Sequence, residues 1–400
     1  MTTKKHILLG ISGGIAAYKS CELVRLLKKQ GHEVSVAMSR AATEFVSPLT
    51  FQALSGHPVL ADTHSGESGG NGMAHINLTR TADVFVIAPA SANTLAKIAG
   101  GIADNLLTNL AAARKCPLAA APAMNVEMWF NPANQRNIAR LQADGISIFP
   151  PASGEQACGE TGVGRMPEAA ELADLIPDLW TPKILAGKKV LITTGATFEA
   201  IDPVRGITNI SSGKMGYALA RACRDAGAEV VLVTGPTALP LPIGVTCVPV
   251  QTACQMQAAV MENLAACEVF IAVAAVADYR IQATSTQKIK KTAGSPPTLS
   301  LTENPDILAS VAALPQPPFC VGFAAESENL LDYAEAKRQR KQVPLLVANL
   351  AQHAMGADDN EIVLLDDHGR HPLPRMAKTA VAHAIVAHIA VQLAAAAVVK

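Results

Sequence analysis

Hydrophobic positions gather along the chain in short unbroken runs, and the runs stop at glycine, serine or asparagine. The first, His6–Leu9, meets the turn Ile11-Ser12-Gly13-Gly14. A helical pattern follows, Gly31 stands where a helix would end, and a second run covers Val34–Met38. That is a strand–loop–helix–strand unit. At Gly187 the same grammar restarts with Lys188-Lys189, an apolar run, a Gly/Ser loop and a helix, and Gly227-Ala228-Glu229-Val230 echoes Gly31-His32-Glu33-Val34. Further strands are predicted over Asp83–Ser91 and Pro117–Asn125, then over Val269–Tyr279, Phe319–Ser327 and Pro344–Asn349. Most are apolar throughout, as strands buried on both faces must be. The predicted architecture is α/β: two three-layer Rossmann-like domains, each on a mostly parallel sheet, at 1–182 and 187–400, joined through Leu179–Gly187. Polar and glycine residues collect at the C-terminal ends of the strands, the edge where open α/β sheets bind ligands.

One segment departs from this pattern. Val381–Lys400 is long enough to span a membrane, but it is alanine-rich and interrupted by His383, His388 and Gln392. Lys378, His388 and Gln392 fall on one side of a helical wheel, which favours an amphipathic helix packed on a sheet. Composition narrows the functional classes. The chain has 400 residues, half of them hydrophobic, with 33 basic against 33 acidic side chains. No positive field builds up for a phosphate backbone, so nucleic acid is not expected as a partner. The eight cysteines include no Cys-x-x-Cys pair, so no zinc site is read from spacing. No secretory signal is recognisable at the start, and a cytoplasmic location is expected. A reducing compartment argues against a disulfide at Cys158.

In the first half, Ser12, Gly13 and Gly14 lie between a strand and a helix. Glycine lets backbone approach a ligand, and the helix start offers free N–H groups to a phosphate. The spacing is not G-x-G-x-x-G, so a phosphate cradle and a plain turn stand level on this stretch alone. Ser39 with Thr43, and Ser91 with Asn93 and Thr94, repeat the arrangement after two further strands. Three hydroxyl-bearing strand ends suggest an uncharged cradle for one phosphate and one planar ring. His75 follows a Gly/Ser-rich stretch, His64–Gly72, that reads as a flap, and Asn125 ends an apolar run. Each alone is more often structural than catalytic. Cys158 sits among Gly159, Gly162 and Gly164 in what reads as a flexible loop. On its own that thiol could be an acid, a nucleophile or a bystander.

In the second half, Arg205 and Asn209 precede Ser211, Ser212, Gly213, Lys214 and Gly216 at a helix start, which suits a phosphate without matching a Walker loop. Asp278 ends a strand. Lys288, Lys290 and Lys291 follow in a predicted loop, and Lys337 and Lys341 lie four apart on one helical side.

Taken in order and spacing, the stretch Gly10–Lys19, His75, Pro122–Asn125 and Ser153–Met166 resembles the flavin-containing cysteine decarboxylases. The resemblance is greatest to the bacterial bifunctional phosphopantothenoylcysteine decarboxylase/phosphopantothenate–cysteine ligases of coenzyme A synthesis, and the second half matches these independently. It implies a flavodoxin- or flavoprotein-like first domain with FMN held by Ser12, Gly13, Ser39, Ser91, Ala92 and Thr94. It implies His75 as catalytic base, Asn125 as a substrate-carboxylate ligand and Cys158 as proton donor. Direct loss of CO₂ from a cysteine carboxylate would leave an unstabilised carbanion, so prior oxidation of the thiol by a flavin makes chemical sense. A thiol on a closing loop could then return a proton to carbon.

For the second domain the resemblance implies CTP with Mg²⁺, an acyl-cytidylate, and attack by the amine of cysteine. Arg205, Asn209, Ser211, Ser212 and Gly213 would hold phosphopantothenate, with Asn209 and Lys288 catalytic. Nucleotide contacts would fall on Ala272, Val273, Ala274, Asp278 and Lys288. Others would come from Pro305, Asp306, Ile307, Leu308, Phe323, Lys337 and Lys341. Lysines there would offset charge on the leaving pyrophosphate. Phe198 and Ala200 stand where the family commonly has Arg and Pro. The family also implies a homo-oligomer, trimer-based and up to a dodecamer, with flavin sites at subunit contacts. Two other readings stay in view: a flavin decarboxylase whose second half is inactive or serves another acid, and a flavodoxin-like carrier. A carrier has no need of His75, Asn125 and Cys158, and a dehydrogenase would need the dinucleotide fingerprint that is missing.

Overall fold

The apolar runs become strands whose two faces are both covered. A computed structural model describes residues 4–61, 74–291, 297–326, 328–350 and 356–399. The chain divides into two units, Met1–Trp180 and Thr181–Lys400.

In the first unit, β1 (His6–Ile11), β2 (Glu33–Met38), β3 (Leu60–Ala61), β4 (Val84–Ala90), β5 (Leu118–Pro122) and β6 (Ser147–Ile148) form one parallel sheet in the order β3-β2-β1-β4-β5-β6. Alternation along β1 feeds two cores. Ile7, Leu9 and Ile11 pack with Leu23, Val24 and Leu27 of the helix Lys19–Lys29, whereas Leu8 packs with Leu95 and Leu110 on the other face. Each such side chain withdrawn from water contributes about 1.5–3 kcal/mol. The helix Lys19–Lys29 ends at Gly31, whose φ of 92° is the left-handed conformation that glycine adopts without strain. A separate antiparallel hairpin, β7 (Ala152–Glu155) and β8 (Thr161–Arg165), follows the sheet.

The second unit repeats this order and extends it. Its sheet comprises β9 (Lys189–Thr194), β12 (Glu229–Thr234), β13 (Thr246–Pro249), β14 (Val269–Ala272), β17 (Phe319–Glu326), β18 (Leu345–Leu350), β19 (Asp359–Asp366) and β20 (Gly369–Ala377), in the order β13-β12-β9-β14-β17-β18-β19-β20. The last two strands are antiparallel. Two small hairpins, β10 (Phe198–Ala200) with β11 (Gly206–Thr208) and β15 (Tyr279–Ile281) with β16 (Leu301–Glu303), stand beside it. Val190 and Ile192 face one core, Leu191 the other.

Two expectations change here. The run Val269–Tyr279 is not one strand: β14 stops at Ala272, and residues 273–278 form a loop that reaches the ligand edge. The stretch around Cys158 is not a loose loop but the β7–β8 hairpin. Its glycines serve close packing: a Cβ on Gly162 would stand 2.6 Å from Val126 Cγ2, and one on Gly164 would stand 2.4 Å from the Met124 carbonyl oxygen. The C-terminal segment is the helix Lys378–Val399. Its stretch Lys378–Ala396 is long and apolar enough to cross a membrane by length and composition, but Val381, Ala382, Ile385, Val386 and Ile389 lie in the second unit's core.

Candidate active sites

In the first unit the sheet order reverses between β1 and β4, and the loops leaving those strands part there. Ser12 ties them together. Its N–H and its hydroxyl both donate to the Pro89 carbonyl, at 3.2 and 2.8 Å, and its oxygen accepts from the Ser91 N–H at 2.8 Å. Ser12 is buried beneath the edge and committed to the protein. Gly13 follows because nothing larger fits: a Cβ would stand 2.4 Å from that of Ala41. Ser39 and Ser91 each begin a helix, accepting the N–H of Ala42 and Thr94, both at 3.3 Å. Gly13, Ser39, Ser91, Ala92 and Thr94 line one cleft of about 430 Å³, with Arg40, Asn93, Asn105 and Met128 also on its wall. Among the described residues, no carboxylate lines this cleft.

Ala123 and Met124 form a wall shared with a second cavity of about 590 Å³. That cavity holds both Asn125 and Cys158, which the sequence keeps far apart. Asn125 caps the helix Val126–Phe130: its Oδ1 accepts the N–H groups of Glu127 at 2.8 Å and Met128 at 3.4 Å. Its Nδ2 therefore faces away from the helix, donating to Cys158 Sγ at 3.5 Å and to Glu160 Oε2. The thiol in turn lies 3.7 Å from Glu160 Oε2. Gln156 joins hairpin to helix by accepting the Val126 N–H at 3.1 Å. His75 lies in the helix Ala74–Thr81, but its side chain, like the stretch His64–Gly72, lies outside the described residues.

The second unit carries charge at the corresponding edge. A cleft of about 700 Å³ brings together Ala272, Ala274, Asp278, Pro305, Asp306, Ile307, Leu308, Phe323, Lys337 and Lys341. Beside it, a cavity of about 310 Å³ is lined by Ser211, Ser212, Gly213, Lys214 and Val273. Lys337 lies on both walls, as do Ala274, Val276 and Phe323. Its Nζ donates to the Phe323 carbonyl at 3.0 Å, and burial, with Lys341 alongside, pushes it below the usual lysine range. Lys341 pairs with Asp306 at 3.0 Å. Burial raises the Asp306 carboxyl, but the Ala309 N–H and Lys341 outweigh it and hold the group low.

Asn209 donates at 3.0 Å to the carbonyl of Ala275, a residue of the smaller cavity's wall, but neither Asn209 nor Arg205 itself lines either cleft. Arg205 pairs with buried Asp202 at 3.1 Å and donates to the Ile289 carbonyl at 2.9 Å. Burial pushes Asp202 up, yet three backbone N–H groups and Arg205 outweigh it and keep its carboxyl low. Lys288 is exposed on the segment that this pair anchors and lines neither cleft. Phe198 lies over Gly206, where a Cβ would meet its ring at 2.5 Å.

Several lining residues escaped the sequence. Gln156, on the cavity wall, and Glu160, which does not line it but pairs with Asn125, were hidden in a glycine-rich stretch. Arg340 reaches the larger cleft, and Asn349, Asn360 and Lys378 reach the smaller cavity from strands and a helix far along the chain. Among the described residues, Asn360 Oδ1 is buried without a hydrogen-bond partner, as an acceptor awaiting a ligand would be.

Fold and clefts define a two-domain α/β enzyme with one hydroxyl-lined and one lysine-rich ligand edge. Residues 1–181 match the Flavoprotein family, and residues 185–393 match the DNA/pantothenate metabolism flavoprotein C-terminal domain. The chain is 48% identical over 387 residues to the coenzyme A biosynthesis bifunctional protein CoaBC of Vibrio cholerae, covering 96% of this chain and 97% of that one. It is 42% identical over 399 residues to the protein of that description from Bacillus subtilis, covering 98% of each. A crystal structure of the C-terminal domain of a coenzyme A biosynthesis bifunctional protein CoaBC superposes with a TM-score of 0.46 at 38% identity, covering 53% of this chain and 98% of that one. On the sequence matches, the chain belongs to the family of bifunctional coenzyme A biosynthesis flavoproteins.

Proposed function

We propose that the second unit, within 187–400, joins cysteine to 4′-phosphopantothenate with CTP and Mg²⁺, and that the first, within 1–182, decarboxylates the product to 4′-phosphopantetheine with FMN. The observation that carries this reading is the Ala123–Met124 wall, with a hydroxyl-lined cleft on one side and a thiol and a carboxamide on the other. A cleft of that chemistry fits FMN, whose phosphate would take the N–H and hydroxyl donors of Ser39, Ser91, Ala92 and Thr94, over a floor set by Ser12 and Gly13. FMN, when bound, supplies the two-electron sink that the cysteine thiol needs. Asn125 Nδ2 offers hydrogen to the substrate carboxylate, His75 accepts a proton, and Cys158 delivers one to carbon. The β7–β8 hairpin brings the Cys158 thiol to 3.5 Å from Asn125 Nδ2.

In the second unit CTP lies in the cleft from Ala272 to Lys341, with Val273 turned to the neighbouring cavity. Mg²⁺ would accompany the nucleotide's phosphates, and Asp278 and Asp306 are the carboxylates that the predicted set brings to the cleft wall. Arg205, Asn209, Ser211, Ser212 and Gly213 take phosphopantothenate. Lys337, on both walls, stands where carboxylate meets nucleotide, and a preorganised cation there favours the charge developing in acyl transfer. Lys288 acts on the acyl-cytidylate from the exposed segment. The apolar exposure of Ile15, Tyr18, Leu49 and Phe130 supports a homo-oligomer of the first unit. A cytoplasmic setting accords with eight cysteines that remain free.

The test is direct. Purified protein is expected to carry the visible spectrum of bound FMN. With phosphopantothenate, cysteine, CTP and Mg²⁺ it is expected to release pyrophosphate, CMP and CO₂. Pyrophosphate release supported equally by ATP removes CTP from the reading, and a protein that takes up no flavin removes the first-unit assignment.

A further inference from the structure

Outside the linings of both clefts, three elements of the second unit converge on one buried carboxylate. Asp366 ends β19, and its side chain is 2% exposed. Its Oδ1 accepts from the His368 N–H at 2.8 Å and meets His371 Nε2, on β20, at 3.1 Å. Its Oδ2 meets His388 Nε2 at 2.8 Å and accepts from Gln392 Nε2 at 2.7 Å, both from the C-terminal helix. The two imidazole rings are 5.0 Å apart. None of these residues lines either cleft.

We propose that Asp366, His371 and His388 form a binding site for a zinc-class divalent ion that fastens the β19–β20 edge to the C-terminal helix. The ligand atoms of all three residues lie within 4.8 Å of one another. Ligands about 2.0–2.2 Å from one tetrahedral ion stand roughly 3.3 Å apart, so the cluster needs only small adjustments to close on it. A buried carboxylate with two imidazoles selects zinc, cobalt or nickel over magnesium, which prefers oxygen and water. This separates the site from the Mg²⁺ that accompanies a nucleotide. His371 retains 39% exposure and gives an aqueous ion its route in. A rotated Gln392 amide, or water, completes four ligands.

The experiment uses the full chain, stripped with EDTA, and follows thermal unfolding and zinc stoichiometry with a competing chromophoric chelator. Zinc at a hundredfold over its Kd is expected to raise the second unit's Tm by about 5–10 °C, independently of CTP. His388→Gln keeps a neutral hydrogen-bond donor to Asp366 but removes the imidazole. It is expected to unfold like the stripped wild type, lose the zinc-dependent rise and bind one zinc fewer. His371→Gln, at a more exposed position, gives the same readout should His388→Gln fail to fold. A wild type that zinc does not stabilise, or variants that keep both the rise and the stoichiometry, overturns the site and leaves a purely hydrogen-bonded cluster. The comparison of stoichiometries removes zinc taken up by thiols such as exposed Cys158 and Cys254.

Discussion

The two units share one strand order about their central strands β1 and β9, yet their ligand edges differ in chemistry. At the first, hydroxyls, a carboxamide and a thiol stand among the scattered charges of Lys19, Arg40, Glu155 and Arg165, and Ser12 commits its hydroxyl to holding two loops together. At the second, Lys337, Arg340 and Lys341 line the cleft, and Lys214 and Lys378 line its neighbour. The difference follows from the reactions. Moving electrons and CO₂ calls for a cofactor cradle with a proton donor beside it, whereas breaking a phosphoanhydride needs fixed positive charge where negative charge grows. A common sheet supplies the edge, and the loops supply the chemistry.

Three substitutions probe that contrast. Cys158→Ser is expected to have the largest effect: formation of the final thiol falls by about 10²–10⁴-fold, the worth of a positioned acid, while CO₂ release continues. Product analysis by mass spectrometry checks this, and normal turnover to phosphopantetheine would remove Cys158 from the mechanism. Next, Lys337→Met is expected to slow CTP-dependent pyrophosphate release by about 10²–10³-fold and to spare decarboxylation of added phosphopantothenoylcysteine. Equal loss of both activities would mean that the units are not chemically separate. The smallest effect is structural. Gly164→Ala places a Cβ against the Met124 carbonyl at a φ of 142°, costing about 1–3 kcal/mol. It should lower the first unit's Tm and its CO₂ release while leaving pyrophosphate release intact, and unchanged decarboxylation would detach the hairpin's seating from catalysis.

The sequence disclosed the sheets because strands buried on both faces must be apolar throughout, and Leu118–Pro122 or Leu345–Leu350 could be little else. The hydroxyl cradle was legible for a related reason, since Ser39 and Ser91 stand where strands end and helices start. The hairpin carrying Cys158 left no such trace. Its ladder is made of backbone between glycines, and backbone pairing carries no hydropathy signal. The β19–β20 pair was missed because its outer strand alternates polar residues with Pro372 and Pro374, as an edge strand can. Asn360, Lys378 and the Asp366 cluster were illegible for a third reason. Their partners are set by packing between separate elements, with no fixed spacing along the chain.

Asn125 carries a consequence of a different kind. A free carboxamide rotates and flips, presenting oxygen or nitrogen with nearly equal ease. Here two backbone N–H groups claim the oxygen, so the nitrogen is the only face left for the cavity. The entropy of orienting that donor is lost when the helix Val126–Phe130 forms, not when a substrate arrives. The helix start thus acts as a latch on a rotor, and it selects which end of an incoming acid the site can greet.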